Sequence, residues 1–297
     1  MPPTPLQRFC LIALAAPVLA FAQAPSTLDK IKQSGTMTLA YREASIPFSY
    51  LDDKAKPTGF AYEICEKIAD RMKAATGRAD MQKLYQAVTS ANRIPLLQNG
   101  TIDIECGSTT NNSERGKQVQ FATNYFYTGT RFLVKAGTPV TKLADLAGKQ
   151  VVSTTGTTNY QIIRRLNEEQ KLGIDLLGAK DHAESALMVQ TGRAIAFAMD
   201  DILLYGLKAS SQNPAELAVV GEAIQVEPYA IMMRKEDPSF QKLVDDTIAG
   251  MMKSGEFETL YKKWFQSPIP PKGINLGAPM SKELVDNLKM LSDKPAT

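Results

Sequence analysis

The stretch Thr89-Ser90-Ala91-Asn92-Arg93-Ile94-Pro95-Leu96-Leu97-Gln98-Asn99-Gly100 follows an apolar segment that ends near Val88. Ser90 or Asn92 can cap a new helix, Pro95 fits only a helix's first turn, and Gly100 stops it. The junction recurs along the chain, and its recurrence sets the fold class. It also places the Arg93 guanidinium close to unpaired helix N–H groups. An anion is attracted there twice, through the helix N-terminus and through a bidentate Arg–carboxylate fork. The competing reading is a surface arginine paired with a nearby acid, a common and weak arrangement.

Working outward, short β-type runs alternate with helices from residue 25 onward. Thr36–Tyr41 reads as a strand. Ile64, Cys65, Ile68, Ala69 and Met72 share one helix face, and Gly77 ends that helix. Ile102–Ile104 is a further short strand. A second block begins after Arg131–Lys135, with a strand at Gln150–Ser153, the loop Thr154–Thr158 and a helix from Asn159 to Gln170. Leu176–Leu177, Ala194–Met199, Ala218–Val220 and Tyr229–Arg234 read as strands. Glu184–Thr191 and Pro238–Ser254 read as helices, and a short helix ends at Trp264-Phe265. Such alternation implies parallel sheets covered on both faces, with ligands bound beyond the strands' carboxyl ends at helix N-termini. Two such sheets would face each other across a cleft. From Ser267 a Pro-rich stretch leads to a terminal helix with Leu284, Val285, Leu288 and Leu291 on one face, expected to pack on the body.

The chain has 297 residues, enough for one large or two medium domains, and its 44% hydrophobic and 22% charged content supports a globular core. Net charge is +3 and no basic run exceeds two residues, so nothing points to nucleic acid or to an anionic membrane surface. The first 24 residues stand apart. Arg8 precedes an apolar run of 14 residues, Phe9 to Ala22, followed by small-x-small patterns at Ala20–Ala22 and Ala22–Ala24. This reads as a secretory signal peptide over 1–24, cut after Ala22 or Ala24, the run being too short for a membrane span. Cys10 leaves with it. Cys65 and Cys106 remain. They can form a disulfide in an oxidising compartment or sit as small buried apolar residues, and neither has metal-binding or redox spacing.

Six polar clusters fall where strands should end: Tyr41-Arg42-Glu43; Ser90 with Arg93; Cys106-Gly107-Ser108-Thr109-Thr110; Thr155–Thr158; Lys180-Asp181-His182; and Met199-Asp200-Asp201. Each has a bland reading. Hydroxyl-rich loops before helices are commonly caps, Asp200 or Asp201 could cap the next helix, and His182 could be a solvated loop residue. Their convergence on one cleft is what the bland readings leave out. Together they supply two arginines, hydroxyls, helix N–H groups, a histidine and a carboxylate, a set suited to a zwitterion with one extra negative charge.

Several segments carry a family resemblance: Tyr41-Arg42-Glu43-Ala44-Ser45-Ile46-Pro47-Phe48-Ser49-Tyr50, Asn92–Gly100, Glu105–Asn112, Gly156-Thr157-Thr158, Ala179–His182, Phe197–Asp201, Trp264-Phe265 and Pro268-Ile269-Pro270-Pro271. Nearly the whole chain after the signal resembles the periplasmic glutamate/aspartate-binding proteins of amino-acid ABC importers. The resemblance implies a type II periplasmic-binding-protein fold with two α/β lobes and two crossovers, near Tyr127–Arg131 and Ile224–Tyr229. Lobe 1 would comprise 25–130 and 226–267, lobe 2 would comprise 131–225, and 268–297 would be a tail packing on the body. By residue roles, Arg93 would hold the α-carboxylate, helped by Ser108, Thr110 and the Thr157–Thr158 amides. Asp200 would take the α-ammonium, and Arg42, Ser90, Thr155 and His182 would surround the side-chain carboxylate. The family pairs a cysteine at the Cys106 position with one near 231, which here is Ile231, whereas Cys65 is added; pairing of Cys65 with Cys106 stays open.

Two functions follow as expectations. The first is a monomeric periplasmic protein, without cofactor or metal, that delivers L-glutamate or L-aspartate to an inner-membrane ABC permease. The second is a periplasmic enzyme on the same fold, dehydratase-like, for which His182 and Glu43 are the candidate acid or base groups. Neither has an obvious relay partner, and no nucleophile motif, phosphate loop or metal-ligand spacing occurs.

Overall fold

The structure is a computed structural model that describes residues 25–296; the expected signal peptide and Thr297 lie outside the described residues. Two mixed sheets carry the chain. The first runs in the order Gln82–Ala87, Thr36–Tyr41, Ile104–Glu105, Met232–Met233, Gln120–Phe121. The second runs Asp175–Ala179, Gln150–Thr154, Ala196–Asp200, Phe126–Lys135, Leu217–Val220, with Val226–Tyr229 also on Phe126–Lys135.

Three neighbouring strands are parallel in each sheet, as the strand–helix alternation predicts. The remaining strands run antiparallel, which the alternation does not predict. The cause is topological. Strands followed by a helix run toward the cleft, so a segment that arrives across the cleft must run away from it. Phe126–Lys135 makes that passage outward and Val226–Tyr229 makes the return. The two pair with each other, Val226 opposite Gly129 and Tyr229 opposite Phe126. The expected strand Tyr229–Arg234 is thereby divided. Tyr229 closes the crossover ladder, Ala230 and Ile231 bond to Thr109 and Ala122, and Met232–Met233 joins the first sheet.

Period decides the elements locally. Helix Phe60–Thr76 buries Ile64, Cys65, Ile68, Ala69 and Met72, the spacing of one helical face, and Gly77 ends it at φ 67°, a conformation glycine adopts without a Cβ penalty. Cys65 on this helix and Cys106 after strand Ile104–Glu105 form a disulfide, with Cα atoms 5.9 Å apart. Helix Glu256–Phe265 sends Phe257, Tyr261, Trp264 and Phe265 inward. There Phe265 stacks on Tyr261 and Phe126, with centroids 4.3 and 5.1 Å apart, and so braces the root of the outgoing crossover.

The terminal helix is Lys282–Met290. Leu284 is buried and Leu288 and Leu291 pack against the core, but Val285 is 45% exposed, so the apolar face is narrower than expected. One residue along a helix turns the side chain by about 100°, which carries Val285 off the face that holds Leu284. Beyond it, Asn287 is buried and donates to the Asn124 carbonyl (2.7 Å), Asn111 donates to the Asp293 carbonyl (2.7 Å), and the Ala296 N–H reaches the Asn111 carbonyl (2.9 Å).

Candidate functional site

The junction Thr89–Gly100 forms a short helix, Arg93–Gln98. Asn92 precedes it without capping it. Its side-chain carbonyl accepts from the Thr89 N–H (2.8 Å), and the Thr89 hydroxyl accepts from the Asn92 N–H (3.2 Å), so the pair closes the turn instead. Ser90 does not cap the helix either; its hydroxyl accepts from Arg42 Nη2 at 2.8 Å. Arg93 does stand beside an acid, as the bland reading has it, but deep in the protein. Its Nη1 lies 3.7 Å from Glu105 Oε1, and the two side chains are 2% and 0% exposed. Thr109 links them, accepting from Arg93 and donating to Glu105 Oε2 at 2.6 Å. Arg93 Nε, Glu105 Oε1 and the Ser108 hydroxyl find no protein partner. A buried donor left without a partner costs about 1–3 kcal/mol, more for a charged group, so such atoms collect where a ligand completes the bonding.

Arg42 follows strand Thr36–Tyr41, and the Ser49 hydroxyl accepts from its N–H (2.9 Å). Its Nη1 is buried without a partner, and its Nη2 lies 3.4 Å from His182 Nε2. Burial, and then the neighbouring Arg93, lower Arg42 from 12.5 to about 9. A guanidinium has no acceptor, so the His182 nitrogen facing it must carry the lone pair. The other nitrogen, Nδ1–H, then donates to Thr154 Oγ1 (2.9 Å), which continues through Ser185 Oγ (2.9 Å) to the Asp181 carbonyl (2.9 Å). Burial first, then Arg42 and Arg93, hold His182 well below its usual 6.5.

Asp200 ends strand Ala196–Asp200. It accepts from Asn159 Nδ2 (2.8 Å) and from the Tyr229 hydroxyl. Burial, followed by the charge of Glu227, raises Asp200 from 3.8 to about 7. Glu227, on the return crossover, accepts through one oxygen from the hydroxyls of Thr110 (2.9 Å) and Thr158 (2.7 Å). Arg115 joins the two sides of the cleft. It donates to the Thr110 carbonyl (3.0 Å) on one side and to the Gly156 carbonyl (3.1 Å) on the other. Gly156 has φ 79°, and a Cβ there would lie 2.6 Å from Ala91 Cα, so only glycine allows this approach.

Eight of the ten sequence-derived candidates are thus gathered in one buried cluster: Arg42, Ser90, Arg93, Ser108, Thr110, Thr158, His182 and Asp200. Thr157 is buried at its edge, capping helix Thr158–Gln170 by accepting from the Tyr160 N–H (3.1 Å) while donating to the Thr154 carbonyl (2.7 Å). Thr155 is partly exposed, and its hydroxyl is committed to the Ala179 carbonyl (3.0 Å). Glu43 points to solvent. Glu105, Arg115, Asn159, Glu227 and Tyr229 belong to the cluster and were not among the candidates, and Thr109 was named only as part of the loop Cys106–Thr110. Glu105 had a signal, a carboxylate alternating with Ile102, Ile104 and Cys106, all buried. Glu227 had a similar one, a lone carboxylate between Val226 and Pro228-Tyr229, whereas Arg115 had none, standing in the polar run 111–117. Buried charge in the cluster balances, with the guanidinium groups of Arg42, Arg93 and Arg115 against the carboxylates of Glu105, Asp200 and Glu227. Among the described residues no group of three or more His, Cys, Asp or Glu is placed to hold a metal ion.

Comparison with known proteins follows the same lines. The chain is 46% identical over 284 residues to the L-glutamate/L-aspartate-binding protein of Pseudomonas aeruginosa, covering 95% of this chain and 94% of that one. It is 46% identical over 272 residues to the glutamate/aspartate import solute-binding protein of Escherichia coli, covering 92% and 89%. Among solved structures, a mutant of ArgBP from T. maritima superposes with a TM-score of 0.73 at 26% identity, covering 80% of this chain and 99% of that one. An ancestral amino acid-binding protein described as a precursor of cyclohexadienyl dehydratase superposes at 0.69 with 28% identity, covering 80% and 98%. The sequence profile of the bacterial extracellular solute-binding proteins, family 3, matches residues 37–267, and the chain belongs to that family.

Proposed function

We propose that the protein captures L-glutamate or L-aspartate outside the inner membrane and delivers it to an ABC permease, after export by its signal peptide to the periplasm. The observation that carries this reading is the pair of buried arginines, Arg42 and Arg93, each with an unpartnered donor, in one cluster with the buried Asp200. Two cations suit two carboxylates, and one carboxylate suits one ammonium. In this reading Arg93, Ser108 and the first N–H groups of helix Thr158–Gln170 hold the α-carboxylate. Arg42 and Ser90 meet the side-chain carboxylate, with His182 against Arg42 beside it, and Asp200 meets the ammonium. The names of the relatives from P. aeruginosa and E. coli support the ligand class.

The same reading divides the chain into a lobe of 25–130 with 226–267 and a lobe of 131–225, closing about the paired crossover strands. Small-angle scattering then gives a smaller radius of gyration with glutamate than without. Isothermal titration calorimetry against the twenty amino acids tests the function: tight binding confined to glutamate and aspartate is expected, and binding of neither refutes it. The enzyme reading has less support, because Glu43 is exposed and the polar chain behind His182 ends on a backbone carbonyl instead of a carboxylate. Product analysis after incubation with glutamate, aspartate and prephenate separates the two.

A further inference from the structure

Glu227 is a carboxylate on the return crossover, 1% exposed, opposite Thr128 in the ladder of crossover strands. Its Oε2 takes hydroxyl bonds from Thr110, on one side of the cleft, and from Thr158, on the other. Those hydroxyl oxygens are themselves 3.3 Å apart. A carboxylate only accepts, and a hydroxyl has one proton. Both threonine protons are therefore spent on Glu227, and what Thr110 Oγ1 and Thr158 Oγ1 present elsewhere is lone pairs. Lone pairs cannot hold a carboxylate or a carbonyl oxygen. They can accept from an ammonium.

The neighbours point the same way. Asp200 is a second buried acid, and Glu227 contributes to its elevated pKa. Tyr229 donates to Asp200 Oδ2 and Asn159 to its Oδ1, and Arg115 is a cation whose charge interacts with Glu227. The result is a patch with two carboxylates and two hydroxyls polarised as acceptors, drawn from both sides of the cleft and from the crossover between them.

Resting on the proposal that the site holds an acidic amino acid, we infer that Glu227 sets the requirement for an α-ammonium by fixing the Thr110 and Thr158 hydroxyls as acceptors. It is a positioning residue: it acts through the two threonines, and the ligand group it selects is the one that only donates. An α-hydroxy acid of the same skeleton presents a single proton there, and an α-keto acid presents none.

The test compares L-glutamate with (S)-2-hydroxyglutarate by calorimetry on the full-length mature protein. Glu227→Gln keeps shape and supplies an amide that donates to one threonine, turning that hydroxyl into a donor. Its affinity for L-glutamate is expected to fall about 10- to 100-fold, the span for lost hydrogen bonds to a charged group, while that for 2-hydroxyglutarate holds or rises. Thr158→Val, measured alongside, removes one acceptor without touching the carboxylate and is expected to give the same split. Equal loss of both ligands in the soluble variants, or an unchanged preference for glutamate, overturns the inference and leaves the function standing. A wild-type protein that binds no acidic amino acid overturns the function and the inference with it.

Discussion

Replacing Arg42 by methionine is expected to make the unliganded protein more stable and nearly useless as a binder of acidic amino acids. The magnitude comes from the burial of the guanidinium. A lowering from 12.5 to about 9 corresponds to about 5 kcal/mol against the charged form in the fold. The folded value lies below the unfolded one, so the penalty is fully present below about pH 9 and fades only toward 12.5, beyond working conditions. Arg42→Met removes it. The substitution also strips the Ser90 hydroxyl of its donor, about 1 kcal/mol, and part of the penalty is relieved whenever the cleft opens to water. A net gain of about 1–3 kcal/mol remains, or about 2–10 °C in melting temperature for a chain of this size. The ligand effect has the opposite sign. A carboxylate that loses its buried partner costs about 3–5 kcal/mol, two to four decades of affinity. Glutamine, lacking that charge, loses much less. Scanning calorimetry with and without glutamate reads both effects at once: the variant melts higher alone, and the upward shift given by saturating glutamate collapses. A variant that melts lower alone and keeps its glutamate shift would show Arg42 to be a structural cation. Equal losses for glutamate and glutamine would refute its assignment to the side-chain carboxylate.

Four further outcomes are expected. Gly156→Ala places a methyl against Ala91 only when the cleft is closed, so glutamate affinity falls about tenfold or more while the unliganded melting temperature drops by a few degrees at most; calorimetry showing unchanged affinity would refute the contact. The unfolded chain protonates His182 below about 6.5 whereas the folded chain resists it, so stability falls as pH drops through that value and His182→Gln flattens the slope in urea titrations between about pH 6.5 and 5. A ligand carboxylate acts on His182 in reverse, so wild-type affinity for glutamate falls as pH rises from about 6 to 8.5, and a flat profile there removes His182 as a charged contact. Reduction of Cys65–Cys106, which closes a loop across a separation of 41 residues, is expected to cost about 4 kcal/mol in urea unfolding; equal midpoints with and without reductant would refute a stabilising bond.

What the sequence made legible divides by mechanism. Where a clean period meets a terminal glycine the helix could be read: Pro238–Ser254 at both ends, and Phe60–Thr76 by its buried face and its end at Gly77, though not by its start. Strand Gln82–Ala87 could not, since it lies at a sheet edge with Leu84 and Tyr85 in solvent and has no buried face to impose a period. Nor could the antiparallel pairing, which depends on where the chain crosses the cleft rather than on any local pattern. In the site, Asp200 was visible because a strand ended on it, and Arg93 because Pro95 and Gly100 bracket the short helix it opens. Arg115 was not, because nothing in its polar run marks it as buried, and the roles of Glu105 and Glu227 were not, because a buried charge takes its role from its partners, such as Glu227 from Thr110 and Thr158. Val285 shows the converse, an apolar residue in a plausible stripe that a single step of rotation leaves in water.

The last described stretch of the chain has a practical consequence. Ala296 is bonded to Asn111, the residue after Thr110, and Asp293 and Lys294 hold Asn111 and Asn124 through their carbonyls, so this last described stretch is moored beside the loop that carries Thr110. The first described residues are anchored on the far side of the same sheet, where Thr27 donates to Asp237 and the Pro25 carbonyl accepts from Arg234. The two ends are therefore unequal as points of attachment. A fluorescent protein or affinity tag joined at the carboxyl end would tug on the loop that carries Thr110, whereas one joined ahead of residue 25 would leave it alone. For an optical sensor the first site is the useful one, because whatever moves Asn111 moves the label.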